Sequence, residues 1–381
     1  MKKKIWLLCS YVAVAALATM ITLGLTAGSS APTKLEQLEN LIDECFIGEA
    51  DPEALEDAAA SAMVSATGDR WSYYIPASMY ETYTDQMENV YVGVGITIQA
   101  QEDDSGFLIL SVTNGGPAEE AGLKANDLLI MVDDQDVRGM AVEDVRNLVK
   151  GEQGTNVNLT VLRVGEPMTL SVERRRIETA VATYQMLEGN IGLVTIENFD
   201  ERCAEETIAA IEALLDQGAE RFIFDVRNNP GGYADELVKV LDYLLPEGEV
   251  FHTITYDGKE DIDYSDPSCL ERPMAVLVNG NSYSAAEFFA AALQENEAAV
   301  VVGEKTVGKG YFQTTFRLND GSAVSLSIGK YFTPKGENLA GVGVTPDKIV
   351  AVDEEMAAAI YYGTVTLEED PQIQAALKEL K

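Results

Sequence analysis

The segment Met274-Ala-Val-Leu-Val-Asn-Gly-Asn-Ser-Tyr-Ser-Ala-Ala-Glu-Phe-Phe-Ala-Ala-Ala-Leu293 has the pattern of a strand, a turn and a helix. Its first five residues are continuously apolar, as in a buried strand, and Asn279-Gly-Asn281 supplies the turn. Ala285 to Leu293 is predicted to be helical. Strands and helices alternate from Ile191 to Val302, and this alternation predicts an α/β core.

Ser284 lies at the predicted strand-to-helix turn, near the positive end of the helix. The amide of Ala285 is free there to donate to a developing oxyanion. A serine hydroxyl needs a base to become a nucleophile, and His252 is the only histidine in the chain, so a lysine base is the economical hypothesis. Alternatively, Ser284 only caps the helix, or Ser282 does.

Lys309 is the candidate base, 25 residues after the serine. A lysine serves as a base only if burial keeps its amine neutral. Gly303, Gly308 and Gly310 permit a tight backbone around it, and Gln313 follows as a neutral hydrogen-bonding group. The alternative is a lysine in an ordinary glycine-rich hairpin. A phosphate-binding loop is excluded, because such a loop needs Ser or Thr after the lysine, where Gly310 stands.

A third segment follows the predicted strand Arg221 to Arg227. Asn228-Asn-Pro-Gly-Gly232 ends in two glycines, and a helix is predicted from Tyr233 to Leu245. Consecutive glycines at a strand exit can present bare backbone amides to an anion. Read alone, the segment is first of all a turn. The joint occurrence of the three segments favours a catalytic site.

The segments together carry a family resemblance, which covers most of residues 33 to 350. Asp225–Gly232, Ser284–Glu287 and Thr306–Gln313 resemble the core motifs of the C-terminal processing peptidases, the tail-specific serine proteases of bacterial envelopes and chloroplast lumens. Asp69–Tyr74 resembles an upstream element of that family, with Arg70 in place of proline. The resemblance implies a protease core with a fold like that of crotonase and Clp-type proteins.

The resemblance also implies roles for individual residues. Ser284 would be the nucleophile, Lys309 the general base and Gln313 the residue that positions the lysine. The oxyanion donors would be Ala285 with Gly231 or Gly232. Where the family often has a further serine, this chain has Ala286.

A second, β-rich unit resembles a PDZ domain. Gly106–Val112, Pro117–Leu123 and Asp127–Val132 supply its predicted elements. PDZ domains add a peptide C-terminus to a sheet edge and receive its carboxylate on the backbone amides of a loop. The candidate loop consists of Tyr91, Val92, Gly93, Val94, Gly95 and Ile96. Alternatively, its two glycines only shape the entry to a strand.

The N-terminus predicts a membrane anchor. Lys2-Lys-Lys4 precedes Ile5 to Ala27, an uncharged stretch of 23 residues that is long enough to span a bilayer. Its length favours an uncleaved anchor over a signal peptide, whose apolar region is shorter. The lysines place the N-terminus inside and the catalytic part outside the cell membrane. Cleavage near Gly28 would instead release the protein.

Composition excludes several partners and cofactors. The net charge of −36 would repel nucleic acid and anionic lipid headgroups. The four cysteines, at positions 9, 45, 203 and 269, lack the spacing of a zinc site or a disulfide framework, so free thiols and no metal or other cofactor are expected. His252 lacks partners at ligand spacing and is interpreted as structural.

The predicted architecture is α/β and multi-domain. It consists of an anchor or signal segment (1–31), a helical segment (32–80), an inserted PDZ domain (81–174), a serine protease core (175–350) and a helical tail (351–381) that could pack on a partner subunit in a homodimer. The expected function is envelope endopeptidase activity at or near protein C-termini, with the PDZ domain binding protein or peptide substrates. The alternatives are a catalytically silent PDZ adaptor and a crotonase-like acyl-group enzyme.

Overall fold

The computed structural model describes residues 31–101 and 103–381, so the predicted membrane segment lies outside the described residues. The chain divides into two compact units between Thr67 and Gly68. The first contains helices α1 (Lys34–Cys45) and α2 (Pro52–Ser65), which confirm the two helices predicted there. Thr33 caps α1 and Asp51 caps α2, each by accepting a backbone hydrogen bond.

The second unit contains all the strands and the remaining helices of the described residues. The strands are β1 Tyr73–Ile75, β2 Val90–Gly93, β3 Ile96–Ala100, β4 Phe107–Val112, β5 Leu128–Val132, β6 Gln135–Asp136, β7 Asn156–Arg163, β8 Glu166–Glu173, β9 Arg175–Glu178, β10 Ala182–Leu187, β11 Ile191–Ile196, β12 Arg221–Asp225, β13 Gly248–Thr255, β14 Glu260–Ser265, β15 Met274–Val278, β16 Ala299–Gly303, β17 Tyr311–Arg317, β18 Ala323–Phe332 and β19 Lys348–Ile349. The helices are α3 Ala77–Met87, α4 Pro117–Glu120, α5 Val142–Val149, α6 Cys203–Asp216, α7 Ala234–Leu244, α8 Ala285–Glu295, α9 Glu354–Tyr361 and α10 Pro371–Glu379.

A six-stranded sheet forms the centre of the α/β core, in the order β10-β11-β12-β15-β16-β19. The strands from β11 to β19 run parallel, and β10 is antiparallel at one edge. All five residues of β15 are buried, as the continuously apolar sequence predicts. Because β12, β15 and β16 are parallel neighbours, their carboxyl ends lie at the same edge of the sheet.

The two faces of this sheet are covered by different helices. Phe222, Phe224 and Val276 point to one face, where they pack with residues of α6, α7 and α8. Ile223 and Leu277 point to the other face and pack against α10. Alternation along each strand therefore places successive apolar side chains in two separate cores.

A second sheet, in the order β1-β18-β13-β14 with β17 beside β18, belongs to the same unit. A hairpin of β17 and β18 follows Lys309, and β18 continues to Phe332. β1 pairs with β18, so the segment predicted to be helical up to residue 80 also contributes a strand to this sheet. His252 lies on β13 beside the ring of Phe332, at a centroid distance of 5.4 Å.

The inserted domain has its own sheet, in the order β3-β4-β5-β7-β8, with β6 beside β5. Its core contains buried side chains from the strands and from α5, among them Phe107, Ile109 and Val145. A two-stranded ribbon of β2 and β9 pairs the chain segments that precede and follow this sheet. The predicted domain boundaries stay predictions.

The last helix of the C-terminal tail, α10, packs on its own subunit, and packing of the tail on a partner subunit stays a prediction. Ile373, Ala376 and Leu380 of the α10 region are buried against the central sheet of the same chain. This apolar face covers Ile223 and Leu277, which would otherwise be exposed. The tail therefore completes the core of its own subunit.

Two further expectations concern membrane helices and thiols. Over residues 31–101 and 103–381, no helix is both long and apolar enough to cross a bilayer. Cys45, Cys203 and Cys269 are free thiols; Cys203 is buried, Cys269 is partly buried and Cys45 is exposed.

Candidate active site

Three loops meet at the carboxyl edge of the central sheet. The loop after β12 contains Gly231 and Gly232, the loop after β15 contains Ser284, and the segment after β16 contains Lys309. Because the three strands are neighbours in the sheet, segments far apart in sequence become adjacent.

The backbone of Ser284 is in an unusual conformation, with φ 59° and ψ −123°. Positive φ in a residue with a Cβ stores strain, and such strain recurs at functional sites. Ser282 is held instead inside the turn, where its hydroxyl donates to the carbonyl of Val226 at 2.7 Å and accepts from the amide of Asn279 at 3.0 Å. Ser282 is therefore not the helix cap, and Ser284 is the residue presented at the start of α8.

The carboxylate of Glu287 connects the serine turn to the lysine segment. It is fully buried, and four donors surround it. Oε1 accepts from the hydroxyl of Thr306 and the amide of Gly308, both at 2.5 Å. Oε2 accepts from the amides of Ser284 at 3.1 Å and Lys309 at 2.9 Å. One side chain thereby fixes the backbone of both candidate catalytic residues.

The amine of Lys309 has the electrostatics that a base requires. Burial lowers its pKa from 10.5 to about 8, while the negative charges of Asp69 and Glu287 act in the opposite direction. Its Nζ lies 5.2 Å from the ring centroid of Trp71. A substantial fraction of this amine is therefore neutral in mildly alkaline solution.

Trp71 and Asp69 belong to the segment that carried the upstream resemblance, but the sequence assigned them no role. The ring of Trp71 stacks on Tyr283, at a centroid distance of 5.7 Å, and also contacts Lys309. Asp69 holds the tryptophan segment by accepting from the amide of Trp71 at 3.1 Å and the hydroxyl of Ser72 at 2.6 Å. The aromatic ring shields the lysine amine from water on this side.

The two candidate glycines of the oxyanion loop differ from each other. The amide of Gly231 already donates to Oδ1 of Asn229 at 2.8 Å. Within the part of the chain that the structure describes, the amides of Gly232 and Ala285 have no hydrogen-bond partner. A Cβ on Gly231 would lie 2.6 Å from Cβ of Ser284, so this glycine is needed for the close approach of the two loops.

The side chain of Gln313 is hydrogen-bonded to residues of the hairpin and not to Lys309. It lies at a register irregularity of β17, and its Nε2 donates to the hydroxyl of Ser327 at 2.9 Å and to the carbonyl of Tyr311 at 3.4 Å. The structure places Gln313 on the wall of the same cavity as Lys309.

A cavity of about 670 Å³ contains all the candidate catalytic and oxyanion residues. Its wall includes Ser284, Lys309, Gln313, Gly231, Gly232 and Ala285. The apolar part of the wall includes Leu237, Phe251 and Tyr331. Tyr331 was missed by the sequence analysis: its hydroxyl accepts from the amide of Gly310 at 2.9 Å, and burial is the first cause of its raised pKa.

The predicted carboxylate loop of the inserted domain is partly a strand. Tyr91, Val92 and Gly93 belong to β2 and pair with Ile177, Arg176 and Arg175 of β9, which joins the two ends of the domain. The chain then turns at Val94 and Gly95, and Ile96 begins β3. Gly95 has φ 79°, so the turn itself requires a glycine there.

Comparisons with known proteins agree on the class of this chain. Residues 190–350 match the model of peptidase family S41, and residues 108–163 match a PDZ domain. The chain is 31% identical to the carboxy-terminal processing protease CtpA of Bacillus subtilis, over 91% of this chain and 77% of the relative. It is 32% identical to a carboxyl-terminal-processing protease of Synechocystis, over 75% of this chain and 67% of the relative.

A solved structure shares the fold. A putative S41 protease from Bacteroides fragilis superposes with a TM-score of 0.57 and 17% identity, over 87% of this chain and 90% of that one. The expected α/β protease core with an inserted PDZ domain is confirmed by these matches.

Proposed function

This chain belongs to peptidase family S41, the carboxy-terminal processing serine proteases, and we propose that Ser284 and Lys309 are its nucleophile and general base. The family membership makes the chain a serine peptidase and not a silent PDZ adaptor or an acyl-group enzyme. The single observation that carries the residue assignment is that Lys309 lines the cavity of Ser284 with a pKa lowered to about 8.

The proposed hydrolysis of a peptide bond uses the neutral amine of Lys309 and the hydroxyl of Ser284. Lys309 takes the proton of the Ser284 hydroxyl as Oγ attacks the carbonyl carbon of the scissile bond. The protonated lysine then gives that proton to the departing amine, and an acyl-enzyme remains on Ser284. Water attacks this ester with Lys309 again as the base, and the serine hydroxyl is regenerated.

The oxyanion is assigned to the amides of Gly232 and Ala285. The negative oxygen of each tetrahedral intermediate needs preorganised donors, and these two amides have no other partner among the described residues. Gly231 is left out, because its amide donates to Asn229. Gln313 remains the proposed positioning residue for the lysine, acting from the same wall of the cavity.

A serine-reactive fluorophosphonate probe tests the nucleophile in the full-length protein. We expect labelling of one site, identified by peptide mass spectrometry as Ser284, together with hydrolysis of a fluorogenic peptide. Ser284→Ala should abolish both. Labelling or hydrolysis that persists in Ser284→Ala would remove the assignment, while labelling without any peptide hydrolysis would argue for a non-proteolytic role.

The PDZ domain is proposed to bind the C-termini of protein substrates. Strand β3 pairs only with β4 within the described residues, so its other edge is open to an added peptide strand. The turn at Val94 and Gly95 lies directly before this edge and would receive the carboxylate. An amidated substrate C-terminus should weaken binding, whereas equal affinity for acid and amide would contradict this role.

The location proposed is the cell membrane, with the catalytic part outside and the N-terminal segment as an anchor. The uncharged stretch Ile5 to Ala27 behind three lysines supports this placement. The full-length protein should fractionate with membranes and be digested by protease added outside intact cells. Mature protein that begins near Gly28 in the medium would contradict anchoring.

The homodimer expected from the sequence is also a proposal. Light scattering of the purified protein would measure its molar mass in solution and so test it.

A further inference from the structure

Asp200 stands on the wall of the active-site cavity at a position that the proposed chemistry does not use. The backbone around it is tied to the oxyanion loop: the amide of Phe199 donates to the carbonyl of Gly231, and the amide of Tyr233 donates to the carbonyl of Phe199, both at 2.7 Å. Asp200 is therefore held on ordered backbone beside the residues that would bind the scissile carbonyl.

The carboxylate of Asp200 lacks the partners that a buried acid normally has. The residue is 5% exposed, and its Oδ1 is buried with no hydrogen-bond partner among the described residues. No lysine or arginine within residues 31–101 and 103–381 forms an ion pair with it. Buried carboxylates are ordinarily paired with a cation or hydrogen-bonded. A carboxylate that has neither partner is a candidate binding site for a group supplied by another molecule.

The surroundings make the Asp200 carboxyl hard to ionise as long as no cation lies beside it. Burial, and then the charge of Glu201, raise the pKa of Asp200 to about 7. Asp200 in turn acts on two phenols of the cavity wall: the pKa values of Tyr233 and Tyr283 are raised by burial first and by Asp200 next. An acid and two aromatic rings thus lie within electrostatic range of one another beside Ser284.

We propose that Asp200 forms a substrate subsite for a basic side chain, lysine or arginine, close to the scissile bond. The inference rests on the proposed function. An ammonium or guanidinium supplies the Asp200 carboxylate with an opposite charge and a hydrogen-bond donor, neither of which it has among the described residues. The rings of Tyr233 and Tyr283 suit the apolar stem and the cation of such a side chain. A neutral aliphatic side chain would leave the carboxylate unpaired.

Hydrolysis of matched peptides by the full-length protein tests the subsite. A single lysine is moved through the positions on both sides of one scissile bond, and each peptide is compared with its norleucine counterpart. At one position we expect kcat/KM to favour lysine by about tenfold, as for a buried charged hydrogen bond. In Asp200→Asn this ratio should fall to about one, mainly through KM.

Asn has the shape of Asp, and Asp200 has no recorded side-chain hydrogen bond to lose, so the variant should fold. Asp216→Asn is the matched control, because it makes the same change on an exposed residue that does not line the cavity. Its lysine-to-norleucine ratio should stay within about twofold of the wild type. A lysine preference that survives in Asp200→Asn, or that is absent at every position in the wild type, overturns the proposal.

Binding measurements separate this inference from the assignment of the nucleophile. In Ser284→Ala, which cannot turn over if that assignment holds, the lysine peptide should bind about tenfold more tightly than the norleucine peptide by fluorescence anisotropy. Equal affinities overturn the subsite even if Asp200→Asn fails to fold. Cleavage of the peptides by Ser284→Ala would instead overturn the proposed function.

Discussion

Burial of Lys309 lowers the stability of the folded protein and makes its amine more reactive as a base. A lysine amine is charged in water at neutral pH, and burial beside Trp71 lowers its pKa to about 8 in spite of two nearby carboxylates. The shift costs folding free energy below that pKa, because the unfolded chain binds the proton more strongly. The same shift makes the amine available as a base.

The pH dependence of hydrolysis follows from this shift. The base must be neutral, so kcat/KM should rise with pH through about 8 and reach a plateau above it. Stopped assays with one neutral fluorogenic peptide measure the profile. Lys309→Arg keeps the charge but cannot give up its proton, and its activity should be near background at every pH. A wild-type plateau that begins below pH 6 would contradict a lysine base.

Lys309→Met should stabilise the protein while abolishing its activity. Between pH 8 and 10.5 the unfolded chain binds more protons at this site than the folded chain, so stability due to Lys309 rises with pH and is impaired below pH 8. Removing the amine should therefore raise the free energy of unfolding at pH 7 by about 1–3 kcal/mol. Chemical denaturation at pH 7 and pH 11 measures it, and an equal effect at both pH values would exclude this cause.

At the scale of elements, the active site depends on contacts between loops that follow different strands. Glu287 of α8 accepts hydrogen bonds from its own helix start and from the segment after β16. Gly232 lies against Phe199, which follows β11. Each contact constrains two elements at once, so small changes at either residue should reach the catalytic residues.

Glu287→Gln should lower activity and also move its pH dependence. An amide would put N–H groups against backbone donors and would leave some of them unpaired, at a cost of about 2–4 kcal/mol. The negative charge of Glu287 raises the pKa of Lys309, so its removal should shift the pH midpoint of activity downward. Glu297→Gln, on an exposed residue after the same helix, is the control. If the pH midpoint of hydrolysis is unchanged in Glu287→Gln, Glu287 does not act on the pKa of Lys309 and only holds the two loops in place.

Gly232→Ala should reduce kcat by about a hundredfold or more, because a Cβ there would lie 2.2 Å from the carbonyl carbon of Phe199 and displace the proposed oxyanion donor. Gly258→Ala tests positive φ alone, since Gly258 has φ 81° and no atom within 4 Å of the added Cβ. Its effect should be confined to about 1 kcal/mol of stability. Near-normal hydrolysis by Gly232→Ala would place the donor elsewhere.

In the molecule as a whole, the features predicted correctly from the sequence were those that depend on neighbouring residues, such as single strands, turns and helices. The apolar run of β15 and the alanine-rich α8 identified the serine turn between them. Pairing between distant segments was not predictable in this way. β2 pairs with β9 more than 80 residues later, so half of the supposed carboxylate loop is a strand.

Burial of polar groups also depended on the tertiary structure. The sequence did not reveal the role of Glu287, because its partners Thr306, Gly308 and Lys309 come from another loop. The sequence did not predict that α10 covers the central sheet of its own subunit, because an amphipathic helix does not reveal which apolar surface it covers. Asp200 had no sequence signal, since only the fold encloses it.

Ser284 and Lys309, from two loops of the central sheet, are proposed to act as one catalytic unit. Turnover of a single peptide by Ser284→Ala, Lys309→Ala and the double variant tests it most directly, with folding checked by circular dichroism. Each single variant should lower kcat by about a thousandfold or more, and the double variant should be no more than about threefold worse than either. Retained turnover in one single variant, or losses that multiply in the double variant, would contradict the claim.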